Sequence, residues 1–241
     1  MFSLSQIPER GDLLLVTDEL ASPADFVLHA NLATHLKDSS KDARCIVLSV
    51  SGSLSRWKTL ATKSNLNVPN LIAKGSLVFI DIEADLEELH SASRPSLRHI
   101  FDRLVSILQD EDHTSDHTLL IVDDISTLEW ICFSTQEVSR FVRALSAACD
   151  KTNTSLIIRH HVITPGNPDE LLRLLLQISA YRIDVFPLST GRSGSVSGQI
   201  ALHPGPGRTG LKTIPRSKAV LYRLTDTSST FFDRGTGAAV L

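Results

Sequence analysis

One stretch constrains this chain more than any other, the run Thr-Leu-Leu-Ile-Val-Asp-Asp at residues 118–124. An unbroken apolar run of this length is typical of a strand that is buried on both faces, in the middle of a parallel sheet. Asp123 and Asp124 then fall at the carboxyl end of that strand, where open α/β sheets form their ligand crevice. In ATPases of this build, such an aspartate holds magnesium or orients the attacking water. The stretch therefore raises the question of whether a phosphate-binding loop accompanies it.

Strands and helices alternate before residue 181, and short strands follow it. Apolar runs predict strands at residues 13–16, 45–48, 77–80, 119–122 and 156–158. Helical spacing predicts the main helices at about 22–37, 95–108, 134–149 and from 168 onward, the first of them with Ser22 as N-cap and Pro23 at its first position. The later runs 183–186, 198–202 and 219–222 are separated by Gly, Ser and Pro, which indicates antiparallel strands. We therefore predict an α/β fold: a single domain over residues 1–241, with a mostly parallel central sheet flanked by helices and closed by antiparallel strands.

Composition excludes several classes of protein. The net charge of −3 means that no global basic field attracts nucleic acid, so any RNA contact has to be local. Cys45, Cys132 and Cys149 form no close pair, which favours reduced thiols over a disulfide framework or a zinc site. No apolar run approaches the ~20 residues that span a bilayer, and the first ten residues are too polar for a signal peptide. We expect a protein of the cytoplasm or nucleus, with no cofactor, no metal and no membrane contact.

The turn after the first strand argues against nucleotide binding in the usual pose. A phosphate-binding loop needs glycines, so that backbone N–H groups approach the phosphates, and a lysine that reaches them. Residues 17–23 read Thr-Asp-Glu-Leu-Ala-Ser-Pro and contain neither. Asp18 and Glu19 would repel a triphosphate, at a cost on the order of a few kcal/mol each at ~4 Å. Two interpretations of Asp123 and Asp124 follow: the remnant of a nucleotide site, or helix capping and hydrogen bonding at a strand end.

A histidine pair and the serines that follow strands are the remaining candidates for chemistry. His160 and His161 end a strand, and because neighbouring strand residues point to opposite faces, we do not expect them to share a ligand. No Gly-x-Ser-x-Gly nucleophile elbow follows a strand, so we predict no catalytic residue.

Basic side chains on two loops form the candidate RNA contact. They are Arg192 on a Gly/Ser-rich turn, and Arg208, Lys212 and Arg216 on the Gly/Pro-rich loop 204–216. Such residues position RNA through its phosphates, or are simply solvated, and both interpretations stay open.

Four motifs, in a fixed order, resemble a known family. They are Gly-Asp-Leu-Leu-Leu-Val at 11–16, Lys-Gly-Ser-Leu-Val-Phe-Ile at 74–80, Leu-Ile-Val-Asp-Asp-Ile-Ser-Thr-Leu at 120–128, and Phe-Phe-Asp-Arg-Gly at 231–235 with Ala-Val-Leu at 239–241. With the order of elements, they look like a RecA-like (P-loop NTPase-type) core that lacks its phosphate-binding loop. More specifically, they resemble the family of sixth subunits of the Elongator complex, and they sample nearly the whole chain.

The resemblance implies a function that composition does not show. In that family, subunits four, five and six form a hetero-hexameric RecA-like ring, an accessory module of the complex that modifies the wobble uridine (U34) of certain tRNAs. The ring binds tRNA, and the acetyl-transfer and radical chemistry belongs to another subunit. The resemblance therefore implies a non-catalytic subunit whose partners are subunits four and five, tRNA through the assembled ring, and, through the ring, the catalytic core.

Two alternatives stay open at this point. The first is a RecA-like ATPase or recombinase paralogue with a degenerate nucleotide site, which would bind ATP with magnesium. The second is an unrelated α/β scaffold protein, which would not assemble with Elongator subunits.

Overall fold

A nine-stranded sheet forms the middle of the protein in the computed structural model, which describes residues 8–38, 43–82, 84, 96–110, 117–131, 133–191, 196–206, 213–225 and 228–233. The strands are β1 Leu13–Asp18, β2 Ala43–Ser49, β3 Leu77–Asp81, β4 His117–Val122, β5 Ser155–His161, β6 Tyr181–Phe186, β7 Gly198–Pro204, β8 Val220–Leu224 and β9 Ser229–Phe232. The helices are α1 Asp25–Asp38, α2 Leu54–Lys63, α3 Val68–Ala73, α4 Leu97–Leu108, α5 Thr127–Trp130, α6 Thr135–Lys151 and α7 Glu170–Ile178. The strand order is β3-β2-β4-β5-β1-β6-β7-β8-β9.

The apolar run that was expected to be central is central. β4 pairs in parallel with β2 on one side and with β5 on the other. Its residues Leu120, Ile121 and Val122 have no solvent exposure. Alternate side chains enter two hydrophobic layers, Leu120 and Val122 beside α4 and α6, and Leu119 and Ile121 beside α1 and α2. The prediction of a strand buried on both faces is therefore confirmed.

The closing strands differ in one respect from the expectation. Residues 183–186 were predicted to be antiparallel, but β6 pairs in parallel with β1 and only its other edge pairs antiparallel, with β7. The reason is α7, which carries the chain back to the starting edge of the sheet, so that β6 runs in the same direction as β1. β7 and β8 pair antiparallel as expected, and β9, a strand that was not predicted, pairs antiparallel with β8. The predicted class is confirmed: a RecA-like α/β fold with a mostly parallel sheet and C-terminal antiparallel strands.

The start of α1 was also predicted wrongly. Ser22 was expected as its N-cap, but the helix begins at Asp25. The carboxylate of Asp18, at the end of β1, accepts a hydrogen bond from the Ala24 N–H at 2.7 Å. Asp18 thus supplies the side-chain acceptor beside the helix start that was expected from Ser22. The strand end therefore fixes the helix start through a buried carboxylate.

Some predictions fall on residues outside the described ranges, namely Cys132 and the part of the C-terminal motif beyond Asp233. Cys45 and Cys149 are free thiols, both buried. No helix among the described residues is long and apolar enough to span a bilayer.

Candidate functional site

The turn from β1 to α1, where a phosphate-binding loop would lie, is closed by the chain itself. Asp18 is fully buried there, and its carboxylate already accepts the Ala24 N–H beside the helix start. The Ser22 N–H donates to the Glu19 carbonyl at 2.8 Å and tightens the turn. Residues 17–23 therefore form a turn that is held by its own hydrogen bonds and contains neither glycine nor lysine.

A buried arginine from the end of β5 lies against this turn. Arg159 Nη1 is 2.9 Å from Asp25 Oδ1 and 3.8 Å from Asp18 Oδ2, and Nη2 donates to Ser51 Oγ at 3.3 Å. Only 5% of the Arg159 side chain is exposed. Burial by itself would lower the pKa of Arg159, but the neighbouring carboxylates of Asp25 and Asp18 outweigh burial and raise it. The guanidinium thus joins the end of β5 to the start of α1 as a permanent cation.

His161, two residues after Arg159, lies between two carboxylates. Its Nδ1 pairs with Asp18 Oδ1, and its Nε2 is 3.3 Å from Asp124 Oδ2. Hydrogen bonds to Asp124 and Asp18 raise the pKa of His161 to about 9, against the opposing effect of burial. The imidazole is therefore protonated at neutral pH and forms an ion pair with each of the two carboxylates. We call the group Asp18, Asp25, Asp124, Arg159 and His161 the Arg159–His161 cluster.

Asp124 and its neighbour Asp123 have separate partners. Asp124 accepts hydrogen bonds from Thr127 Oγ1 at 2.6 Å and from the Ser126 N–H at 3.1 Å, and so holds the start of α5. Burial disfavours its carboxylate, but the hydrogen bonds from His161 and Thr127 outweigh burial and lower the pKa of Asp124.

Asp123 organises the segment between β2 and α2 instead. Its carboxylate accepts from the Val50 N–H at 2.7 Å, from Ser49 Oγ at 2.5 Å and from Trp57 Nε1 at 3.4 Å. Burial raises its pKa, although the Ser49 and Val50 hydrogen bonds act in the opposite direction. Both aspartates thus make hydrogen bonds within the protein at a strand end and a helix start, and their assignment as the remnant of a nucleotide site stays a prediction.

His160 lies on the other face of the sheet, as the alternation of a strand predicts. Its Nε2 is 3.3 Å from Asp169 Oδ2, and Asp169 caps α7 by accepting the Leu172 N–H at 2.7 Å. His160 and His161 therefore lie on opposite faces of the sheet and pair with different carboxylates.

A second charged group surrounds Asp184 of β6, on the face of β1 opposite the first. Arg182 Nε, Arg216 Nε and His203 Nε2 lie 2.9, 3.0 and 3.2 Å from its carboxylate oxygens, and Thr17 Oγ1 donates to Oδ1 at 2.7 Å. Burial alone would raise the pKa of Asp184, but His203, Arg182 and the other partners lower it to about 2. We call Arg182, Asp184, His203 and Arg216 the Asp184 cluster.

The predicted RNA contacts divide into two sets. Arg216 lies in a 3-10 turn, Arg216–Lys218, pairs with Asp184 and stacks on Phe186 with its guanidinium carbon 4.6 Å from the ring centroid. Its side chain is still 49% exposed, so one face of it reaches solvent. Arg192, Arg208 and Lys212 lie outside the described residues. RNA contact at these four positions stays a prediction.

Among the residues that the structure describes, no group of three or more His, Cys, Asp or Glu side chains is arranged to hold a metal ion. The carboxylates that meet at the end of β1 face Arg159 and His161 instead.

Comparison with known proteins decides the family. The sequence model of the family described as Elongation complex protein 6 matches residues 3–226. The chain belongs to the Elongation complex protein 6 family. The match spans nearly the whole chain, confirms the resemblance drawn from the four motifs and makes the chain a subunit of the Elongator complex. A search of curated proteins finds no match.

In this member of the Elongation complex protein 6 family, the charged groups at the strand ends are suited to holding strands and helices together. Each cation of the Arg159–His161 cluster is shared between carboxylates of two different elements. Such an arrangement stabilises a rigid edge of the sheet. Carboxylates of the protein already neutralise both Arg159 and His161, so neither cation of the cluster is available to a phosphate group.

Sequence reasoning missed the partnership of Asp18, Arg159 and His161. A signal was present, because each ends a predicted strand and the carboxyl ends of parallel strands meet at one edge of the sheet. Using it required the order β4-β5-β1, which the sequence does not state. Asp184 was missed as well, although a charged residue alternates there with the apolar Ile183 and Val185.

Proposed function

We propose that this Elongator subunit is non-catalytic and serves as a structural member of a hetero-hexameric RecA-like ring with subunits four and five. In this role it supports tRNA binding by the ring and modification of the wobble uridine U34. The observation that carries the proposal is the Arg159–His161 cluster, which fills the end of β1 where a RecA-like ATPase would hold its triphosphate.

The charges of the cluster explain why a nucleotide is not expected there. Asp18 and Asp25 would face the phosphates, and each repulsion at ~4 Å is on the order of a few kcal/mol. Arg159 and His161 would have to leave these carboxylates in order to neutralise a phosphate, and removing one partner from a buried ion pair costs about 3–5 kcal/mol. A glycine-rich loop with its lysine, which would offset these terms, is missing from residues 17–23.

The remaining parts of the proposal rest on the family. Subunits four and five are the proposed neighbours, and tRNA meets the assembled ring through Arg192, Arg208, Lys212 and the exposed face of Arg216. The protein is proposed to act in the cytoplasm and also in the nucleus, as one domain over residues 1–241.

Co-expression with subunits four and five, followed by native mass spectrometry, tests the assembly. We expect a complex with the mass of a hetero-hexamer. Binding of ATP with magnesium to the chain alone, measured by calorimetry, is expected to be undetectable. Clear binding by the isolated chain would favour the degenerate ATPase instead, and failure to assemble would favour an unrelated scaffold protein.

The tRNA part has its own test. Arg208→Glu with Lys212→Glu is expected to weaken tRNA binding by the assembled complex, most strongly at low salt, because phosphate contacts release counterions. The matched control is Arg140→Glu with Arg143→Glu, which reverses two exposed charges on α6. Equal tRNA affinity of both variants and the wild-type complex would remove these residues from the RNA surface.

A further inference from the structure

A cavity of about 270 Å³ lies between α1, α2 and the turn that joins β8 to β9. Phe26 of α1, Leu60 of α2 and Leu224 of β8 contribute apolar side chains to its wall. Lys63 and Thr225 line it as well, and both are exposed, so one end of the cavity reaches solvent. Pockets for drug-sized ligands measure about 300–1,000 Å³, so this cavity suits a smaller molecule. We call it the α1–α2 cavity.

Aromatic contacts hold the α1 side of the cavity in place. The ring centroid of Phe26 is 4.7 Å from that of Tyr222, which is buried. His29 also lines the cavity, and its ring centroid is 4.3 Å from that of Trp57. Trp57 in turn donates a hydrogen bond from Nε1 to Asp123 at 3.4 Å. The two rings that line the cavity therefore pack against side chains of the core.

The turn on the opposite side of the cavity is held by its own hydrogen bonds. The Thr225 N–H donates to the Ser228 carbonyl at 2.8 Å, and the Ser228 N–H donates to Thr225 Oγ1 at 3.0 Å. Both residues line the cavity. Since both sides are fixed before a ligand enters, little conformational entropy is lost on binding.

The charges around the cavity select a ligand with one negative charge. Asp25 lines the cavity, but its Oδ1 is 2.9 Å from Arg159 Nη1 and its Oδ2 is 3.4 Å from Arg56 Nη2. Lys63 has no carboxylate partner among the residues that the structure describes. A single unpaired cation attracts a monoanion. A polyphosphate would instead meet the Asp25 carboxylate and find one cation for several charges.

His29 adds a hydrogen-bonding group that the protein leaves unused. Burial lowers the pKa of His29 to about 4, against the opposing effect of Asp25, so the imidazole is neutral at pH 7. Its Nδ1 is buried and has no hydrogen-bond partner among the described residues. Buried polar atoms in folded proteins are normally paired, so an unpaired one in the wall of a cavity favours a ligand that carries polar atoms.

We infer that the α1–α2 cavity binds a small aromatic carboxylate, with its ring among Phe26, Leu60 and Leu224 and its carboxylate toward Lys63. An aromatic ring is favoured because Phe26 and His29 line the cavity with their own rings, and aromatic pairs contribute more than the area that they bury. The site is made of residues of this chain alone. It is therefore a binding activity beyond the proposed role in the ring, and it does not depend on that role.

The first test is a titration of the complete chain with phenylacetate at pH 7, followed by ligand-observed NMR. We expect saturable binding at one site. Phenylacetamide has the same shape without the charge, and we expect it to bind about threefold to fivefold more weakly at low salt, because an exposed lysine contributes modestly to an ion pair. The difference between the two probes should shrink as salt is added.

Substitutions assign the charge preference to one side chain. In Lys63→Met the acid and the amide should bind equally, whereas Lys58→Met, which removes another charge of α2 outside the cavity, should keep the preference of the wild type. The ratio of the two affinities is compared within each variant, so a partly unfolded sample does not change the result.

A second pair of substitutions tests the apolar wall. Leu224→Ser should weaken the binding of both probes at least about threefold, because it removes apolar area that the ring covers. The matched control is Ile72→Ser, at an exposed apolar residue of α3 outside the cavity, which should bind both probes as the wild type does. Thermal unfolding of each variant shows whether its fold is retained.

Four results would overturn the inference. They are the absence of saturable phenylacetate binding to the folded wild type, equal affinities of the wild type for acid and amide at low salt, an equal loss of preference in Lys58→Met and Lys63→Met, and an equal loss of affinity in Leu224→Ser and Ile72→Ser. The complex with subunits four and five gives a further check, in which binding that Lys63→Met weakens is expected to persist. Loss of that binding on assembly would show that a partner's side chains fill the cavity, and the ring function would stand while the inference fails.

Discussion

The two charged clusters lie on opposite faces of one strand and have inverse designs. Thr17 of β1 donates to Asp184 on one face, and Asp18, the next residue, pairs with His161 and Arg159 on the other. On the Arg159 side, cations are enclosed by carboxylates. On the Asp184 side, a carboxylate is enclosed by cations. The alternation of a β-strand is sufficient to separate the two environments completely.

The clusters also differ in how far solvent reaches them. In the first, the side chains of Arg159 and Asp18 are 5% and 0% exposed. In the second, Asp184 is buried but Arg216 is 49% exposed. A buried ion pair is costly to break because the remaining charge has no solvent, whereas a half-exposed partner is replaced by water. We therefore expect the cation-centred cluster to dominate stability, and the four predictions that follow test that ranking.

The largest effect is expected from Arg159→Leu. The substitution leaves Asp18 buried beside Asp25 without their shared cation, and the free energy of unfolding is expected to fall by about 3–5 kcal/mol in urea denaturation at pH 7. The control is Arg98→Met, which removes an exposed partner of Asp102 on α4 and is expected to cost less than about 0.5 kcal/mol. Equal effects of the two substitutions would contradict the difference in burial.

The stability that the Arg159–His161 cluster contributes is expected to fall at alkaline pH, because it depends on protonated His161. Because its pKa rises from 6.5 to about 9 on folding, the folded chain binds more protons than the unfolded chain between these values. The stabilisation is therefore complete below pH 6.5 and is lost as pH rises through 9, a change on the order of 3 kcal/mol. In His161→Gln the fall in unfolding free energy between pH 6 and pH 9.5 should be smaller by about that amount, while His99→Gln, at an exposed residue of α4, should show the dependence of the wild type. Part of the pH dependence should remain in His161→Gln, because burial lowers the pKa values of His29 and His35 and raises those of Cys45 and Cys149 on folding. The same pH dependence in His161→Gln and in the wild type would show that His161 is not held as an imidazolium.

The stability that the Asp184 cluster contributes is expected to fall at acidic pH instead, because it depends on ionised Asp184. Its pKa falls from 3.8 to about 2 on folding, so the unfolded chain binds more protons between these values. The stabilisation is present above pH 3.8 and is lost as pH falls toward 2, a change of about 2 kcal/mol. Asp184→Asn should lower stability at pH 7 by about that amount and weaken the acid dependence. Part of that dependence should remain, because the pKa values of Asp124 and Asp169 are also lowered on folding. Asp102→Asn, at an exposed carboxylate, is the matched control, and the same loss in both variants would contradict the prediction.

The two clusters also show how far the sequence alone reaches. The apolar run at 119–122 predicts a buried central strand because burial on both faces leaves a local pattern. The missing phosphate loop is equally local, since it is read from residues 17–23. The partners of Asp18 are 141 and 143 residues away along the chain, at Arg159 and His161, and become neighbours only when β5 inserts between β4 and β1. Strand order is a long-range property, so the ion pairs built on it required the structure.

The smallest effect on stability is expected from a substitution of Arg216. At this residue an effect on tRNA affinity can also be told apart from an effect on the free energy of unfolding. Arg216→Met keeps an apolar stem against Phe186 but removes one of the two guanidinium groups beside Asp184. Since half of the side chain is in water and Arg182 and His203 remain, the loss is expected to be below about 1 kcal/mol and to shrink further in 0.5 M salt. If the exposed face of the guanidinium contacts tRNA as proposed, the affinity of the assembled complex for tRNA falls although stability barely changes. If the free energy of unfolding falls by several kcal/mol in Arg216→Met, the half-exposed Arg216 contributes as much to stability as the buried Arg159. That result would contradict the proposal that burial makes the Arg159–His161 cluster the more important of the two for stability.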